Sequence, residues 1–339
     1  MGMKQYLGVL AVALIGLVFI VSCDSALYGD EYVFLKLTQQ LPNDTTTGDW
    51  IINERPEIMN EVYTEELCHA AYDAEVWIHP TLPNYLMYPF TKMVNLADAR
   101  IARIIPLILA MISMALITNI IRRKWGENIA MVSSLPFVFA LILIPSGHWF
   151  YYDAFMMVFF ALSLWIIYTR GMSKWLYLTI PAMLLSKEIG VLLLIPLAIA
   201  VLWKTRSVKQ VLMLGFTVIP LAVWYVYAAI ETGDILFYLH HWQDLTYLST
   251  GNNLGNFISS LPHFLLKWGL GFYALATIPA VIMIIKHKAY EHLPFVSFWF
   301  IMGVYAIGWG MVPYHLFNML FAGMYLTAYT AQYLKLKYT

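Results

Sequence analysis

Apolar stretches about as long as a bilayer core is thick recur along this chain, and they constrain its fold more than any other feature. A helix needs roughly 20 mostly apolar residues to cross that core, because every backbone amide and carbonyl must be satisfied within the segment. By that measure 6–22, 101–121, 128–145, 153–169, 175–186, 188–203, 211–230, 269–285, 294–311 and 316–334 are candidate spans. They predict an all-α polytopic membrane protein of about ten transmembrane helices, a single domain over 1–339. Only 12% of residues are charged against 61% hydrophobic, which excludes a soluble globule and a disordered chain. The net charge of zero offers no basic excess for nucleic acid.

Placed between the spans, the charges orient the chain. Arg122, Arg123 and Lys124 follow the second span, Arg170 and Lys174 the fourth, and Lys204, Arg206 and Lys209 the sixth. Lys286 and Lys288 follow the eighth, Lys335 and Lys337 the tenth, and Lys4 precedes the first. Only Glu127 and Glu291 accompany them, so the positive-inside rule predicts a plasma-membrane protein with both termini cytoplasmic. The first 22 residues also carry signal-peptide features, with Ile20-Val21-Ser22-Cys23 resembling a lipoprotein cleavage box; removing them would leave an odd number of spans.

The first external loop, 23–100, then holds most of the external acid. Residues 31–41 have apolar residues at helical spacing and predict an interfacial amphipathic helix. Residues 57–75 read as helical, and 80–98 as a segment along the membrane surface. A second external loop, 231–268, is rich in His, Trp, Tyr and Asn, including His240, His241, Trp242 and Asp244. Cys23 and Cys68 fall on the same side, which permits a disulfide, and Asn43-Asp44-Thr45 is a glycosylation sequon on that side.

Several polar groups stand where water-facing chemistry meets the membrane. Gly29-Asp30-Glu31 lies just beyond the first span, where a partly desolvated carboxylate gains basicity; the same acids would also suit the start of an interfacial helix. His79 opens His79-Pro80-Thr81-Leu82-Pro83 and can bind phosphate or a metal, or simply begin the next helix. Between the third and fourth spans, Ser146-Gly147-His148 leads to Tyr151-Tyr152-Asp153, where Asp153 is either a helix cap or a second acid near Asp30. Ser186-Lys187-Glu188, between two short apolar segments, suggests a re-entrant hairpin with its charges at a water-exposed tip. Lys187 and Glu188 there either pair with each other or present a cation to an anionic group. His315 and Asn318, between the last two spans, are candidates for phosphate and hydroxyl contacts or for an interfacial belt. No nucleotide-binding glycine loop and no clustered Cys/His metal set occurs, so an enzyme of this kind needs a lipid-carried activated donor.

The order of these motifs resembles the GT-C superfamily, the integral-membrane glycosyltransferases that use polyprenyl-phosphate sugars, including the protein O-mannosyltransferase-like and aminoarabinose-transferase-like branches. The matching features are Gly29-Asp30-Glu31 after a first span, His79-Pro80-x-Leu82-Pro83, Tyr152-Asp153-Ala154 opening a span, and Leu185-Ser186-Lys187-Glu188-x-Gly190 at a hairpin. The resemblance implies inverting transfer of a sugar from a polyprenyl phosphate to a protein, lipid or glycan acceptor on the extracytoplasmic face. Asp30 matches the family's first-loop acid, the proposed general base, with Glu31 and Asp153 assisting and Lys187 near the donor phosphate. His79, His148, Glu188 and His315 complete the candidate substrate-binding set. Where relatives use a divalent cation, acids in these loops hold it, which makes Glu31 and Asp153 the candidate ligands. Two departures are expected: His315 occupies a late external stretch where many relatives have an arginine, and the reading predicts no large soluble C-terminal domain. The rival readings are a secondary transporter or lipid-linked-sugar flippase, for which broken helices are typical, and a non-catalytic assembly subunit.

Overall fold

A computed structural model describes residues 34, 35, 38, 82–91, 103–140, 151–236, 270–308 and 313–338. Among them every regular element is helical. The helices are α1 (Leu82–Thr91), α2 (Ile104–Trp125), α3 (Glu127–Ala140), α4 (Tyr151–Arg170), α5 (Leu176–Leu184), α6 (Leu194–Thr205), α7 (Val208–Met213), α8 (Ile219–Thr232), α9 (Leu270–Lys286), α10 (Leu293–Gly308) and α11 (Pro313–Tyr338). Short 3₁₀ turns at Glu188–Val191, Leu214–Val218 and Tyr290–His292 precede α6, α8 and α10. Among the described residues, four stretches are long and apolar enough to cross a membrane: Ile104–Trp125, Tyr152–Arg170, Glu188–Thr205 and Val208–Thr232. Elements therefore stand where the apolar spacing places them from 101 onward, while the segment 6–22 and the predicted helices at 31–41 and 57–75 lie largely or wholly outside the described residues.

The core is built around α4 and α11. From Asn318 to Ala328 every residue of α11 is buried, the mark of a helix enclosed on all sides. It packs against α2, α3, α9 and α10, and α2 runs along α4 on its other flank. Gly323 makes the closest of these contacts possible. A Cβ there would lie 2.9 Å from the Tyr273 ring on α9 and 3.1 Å from Trp299 on α10. Tyr273 has no room to yield, since its hydroxyl donates to the Ser133 carbonyl on α3 at 3.0 Å. In contrast, α8 leaves Val223, Val226, Tyr227 and Ile230 more than half exposed, as suits a helix facing lipid.

The C-terminal ends of α2, α4 and α6 gather at one end of the bundle. Lys124, Tyr168, Lys204 and Glu291 line a common cavity there, and Lys124 pairs with Glu291 at 3.4 Å. Basic residues that alternate loops place on one side are thus neighbours in space. The N-terminus of α4 and the turn between α5 and α6 lie toward the other end.

Between α5 and α6 the backbone breaks twice. Lys187 is extended (φ −162°, ψ 137°), and Glu188–Val191 form a single 3₁₀ turn. A side-chain hydrogen bond of 2.7 Å from Ser163 on α4 to Thr179 holds α5 in place. Gly190 lies so close to Met183 that an added Cβ would be 3.1 Å from its carbonyl oxygen. The hairpin expected from the sequence is present, but its tip is not water-exposed: Lys187 is 3% and Glu188 6% exposed. The burial of these charges has a plain cause. A charge whose partner lies on a neighbouring helix does not need water, and α4 supplies that partner.

Candidate functional site

Asp153 is the third residue of α4 and fully buried. A carboxylate in the first turn interacts favourably with the helix dipole, yet its oxygens turn to other helices. Lys187 Nζ donates to Asp153 Oδ2 at 2.6 Å, and Asn318 Nδ2 on α11 donates to Oδ1 at 2.8 Å. Asp153 is therefore the hub of a buried, charge-assisted network joining α4, the α5–α6 turn and α11, rather than a simple cap. Glu188, beside Lys187 in sequence, lies within electrostatic range of Tyr225 on α8 and Tyr305 on α10. Tyr305 is also within range of Asp153.

A second network meets the first one residue away. Tyr152 Oη donates to Asn84 Oδ1 at 3.0 Å, and Asn84 Nδ2 donates to Thr38 Oγ1 at 3.0 Å. The Thr38 hydroxyl in turn donates to the Phe34 carbonyl at 2.7 Å, and the Phe34 ring meets Tyr152 edge-on at 4.9 Å. All four residues are buried. At the start of α1, the Leu82 amide donates to the Leu185 carbonyl at 3.3 Å. Leu82 and Pro83 of the second motif, Tyr152 and Asp153 of the third, and Leu185 to Glu188 of the fourth consequently meet in one place. The segment following the first motif joins them through Phe34 and Thr38.

Asp153, Lys187 and Glu188 are thus brought together. Asp30, Glu31, His79 and His148 lie outside the described residues, as do Cys23, Cys68, Asn43 and the 237–269 stretch; His315 lies in the first turn of α11 but its side chain is also outside them. Three participants were not expected in this network. Asn84 directly follows the second motif, Tyr152 stands in the third motif without a role of its own, and Asn318 is a candidate for hydroxyl contacts or an interfacial belt. Arg103 is the fourth surprise: it is 1% exposed at the N-terminal end of α2, which packs along α4. Its cue was an arginine at the edge of a long apolar run, where cost implies a purpose.

Asp153 does not fit the expected role of metal ligand. Oδ2 faces an ammonium at 2.6 Å, and the described residues hold no group of three or more His, Cys, Asp or Glu side chains suited to a metal.

Residues 78–230 match the family of dolichyl-phosphate-mannose-protein mannosyltransferases. The match runs from the His79 motif through the hairpin to the end of α8. The GT-C resemblance is borne out. The fold agrees with it: this GT-C-like chain superposes on the crystal structure of ArnT from Cupriavidus metallidurans bound to undecaprenyl phosphate with a TM-score of 0.60, at 14% identity. The alignment covers 97% of this chain and 60% of ArnT, so the chain spans a little over half the length of that relative. No curated protein sequence matches the chain significantly.

Proposed function

We propose that this chain transfers a sugar from a polyprenyl phosphate to an acceptor hydroxyl at the extracytoplasmic surface of the plasma membrane, with inversion. The observation that carries the reading is the convergence of Asp153, Lys187 and Asn318 with α1 and the Phe34–Thr38 segment. Those elements carry or adjoin all four motifs of the resemblance, and the ArnT relative, which has undecaprenyl phosphate bound, supports a polyprenyl-phosphate donor. Asp30 precedes Phe34 by four residues, so covalent reach alone bounds the separation of their Cα atoms at about 14 Å.

As the sugar–phosphate bond breaks, positive charge develops at the anomeric carbon and negative charge on the leaving phosphate. Asp30 accepts the proton of the attacking hydroxyl, with Glu31 beside it. Lys187, held by Asp153, directs a cation at the phosphate in a site shielded from water, where a charge acts strongly. Asp153 and Asn318 fix the ammonium's position and so contribute through orientation. His79, His148, Glu188 and His315 complete the substrate surface, and Glu31 remains the candidate ligand where a divalent cation is used.

The test is to incubate the purified protein with a panel of polyprenyl-phosphate hexoses and pentoses and candidate acceptors, and to measure release of polyprenyl phosphate with sugar transfer. Asp30→Asn is expected to abolish transfer while expression and membrane insertion stay normal. Transfer at the wild-type rate in that variant overturns the base assignment. Movement of the intact lipid-linked sugar across vesicles without its cleavage would instead establish the flippase.

A further inference from the structure

The basic end of the bundle holds a cavity that the proposed reaction does not use. Its volume is about 190 Å³, and it opens among the last turns of α2, α4 and α6 and the turn before α10. Lys124 and Lys204 flank it, Tyr168 and Trp203 wall it, Ile167 gives it an apolar surface, and Glu291 closes one side. Tyr168 lies 15 residues beyond Asp153 on the same helix, or about 22 Å along its axis, so this cavity is remote from the site above.

The hydrogen bonds of the two ammoniums are long. Lys124 Nζ lies 3.4 Å from Glu291 Oε1, and Lys204 Nζ lies 3.4 Å from the Tyr168 carbonyl. Each ammonium has three N–H donors, and Lys204 is exposed. Two ammoniums and one carboxylate leave the cavity with one net positive charge. The neighbouring His292 adds none at neutral pH, since burial, with Lys124 nearby, lowers its pKa to about 3. One negative charge balances the site, which is the charge of a phosphodiester; a phosphomonoester overshoots.

The surroundings are those of a membrane interface. Arg206 lies 3.7 Å over the Trp203 ring, and Lys124 and Arg170 each lie 5.6 Å over Trp125 and Trp165. On α6, Ile195 and Leu202 are 50% and 44% exposed and seven residues apart, so they form one apolar stripe leading to the cavity. The cavity is smaller than the roughly 300 Å³ of pockets that enclose a whole small-molecule ligand. It suits a headgroup whose acyl chains lie outside, and basic pockets between helices at this end of membrane proteins recognise such groups.

We propose that this cavity seats the headgroup of an anionic glycerophospholipid carrying a single phosphodiester charge, with both lysines on the phosphate and Glu291 accepting from headgroup hydroxyls. The proposal is independent of the transferase reading. It is tested by native mass spectrometry of the purified full-length protein titrated with phosphatidylglycerol, phosphatidylcholine or inorganic phosphate. Phosphatidylglycerol should bind in preference to phosphatidylcholine, and millimolar phosphate should not displace it. Lys204→Gln should weaken that binding about fivefold, the worth of one lysine near an anionic lipid, and Lys124→Gln should weaken it as well. Glu291→Gln, which raises the net charge of the cavity, should strengthen it. Opposite effects of the lysine and glutamate variants separate recognition from damage to the fold, which would weaken binding in both. Equal binding of the two lipids, displacement by phosphate, or loss of binding in Glu291→Gln overturns the proposal.

Discussion

At the scale of the residue, the decisive group is Lys187. Burying an ammonium is costly unless a charge meets it, and Asp153 does so at 2.6 Å from another helix. Removing one partner strands the other. Lys187→Met should therefore destabilise the protein by about 3–5 kcal/mol, while Lys187→Met combined with Asp153→Asn should be markedly less destabilised. Thermal unfolding in detergent of the two single variants and the double variant gives the coupling. Additive losses would show that the two groups do not interact. The cost of a charge between two apolar segments made Lys187 legible as a singular residue. Its partner was not legible, because a sequence shows that a charge needs compensation without showing which helix faces it. Asp153 read equally well as a cap, and Asn318 as a belt residue, until the helices bearing them were seen to converge.

At the scale of the element, the hydrogen-bond chain Tyr152–Asn84–Thr38 ties α4 to α1 and to the segment that follows Asp30. Asn84 is both donor and acceptor in it, so Asn84→Ala removes an acceptor from the Tyr152 hydroxyl and a donor from the Thr38 hydroxyl. The expected loss is about 1–3 kcal/mol of stability, read by thermal unfolding, together with a fall in kcat for the proposed transfer, since α1, α4 and Thr38 lose their common tie. Close packing governs the buried stretch of α11. Gly323→Ala places a methyl group against Tyr273 and Trp299 and should cost about 1–3 kcal/mol, again in thermal unfolding. Helix positions were largely legible, because a membrane demands apolar length and the chain punctuates it with charge. The double break around Lys187 was legible as a hairpin, but its enclosure by α4 depends on contacts that periodicity does not encode.

At the scale of the whole molecule, the two ends have different chemistries. One gathers acids around a buried lysine, and the other joins basic helix ends to an aromatic cluster in which the Phe295 and Tyr325 rings stack at 3.6 Å. His292 belongs to that second end, its Nδ1 3.0 Å from the Tyr325 hydroxyl and its Nε2 3.6 Å from Glu291. Burial, reinforced by Lys124, holds its pKa at about 3 instead of 6.5, against the pull of Glu291. Between those values the unfolded chain takes up a proton that the folded chain refuses, so stability falls as pH drops from about 6.5 toward about 3. Glu291 acts in the same direction at the lower end of that range: burial alone would raise its pKa, but Lys124, His292 and a backbone hydrogen bond together outweigh burial and hold it below the usual carboxylate value. His292→Gln should flatten the decline between pH 6.5 and 4.5, measured as unfolding temperature against pH. An unchanged slope would remove His292 as its source. The division of charge between the ends was legible from loop composition, whereas the cavity that four chain segments enclose was not.

The network around Asp153 also sets an order of biosynthesis. Lys187 follows Asp153 by 34 residues, and Asn318 follows it by 165. At about 5–20 residues per second, the ribosome delivers the lysine about 2–7 s after the aspartate, but the asparagine only after about 8–33 s. The ion pair can thus close while α4 to α6 are entering the membrane, and the second carboxylate oxygen awaits the arrival of α11. A nascent chain halted before residue 313 would carry a charge-compensated hairpin and an unfinished pocket.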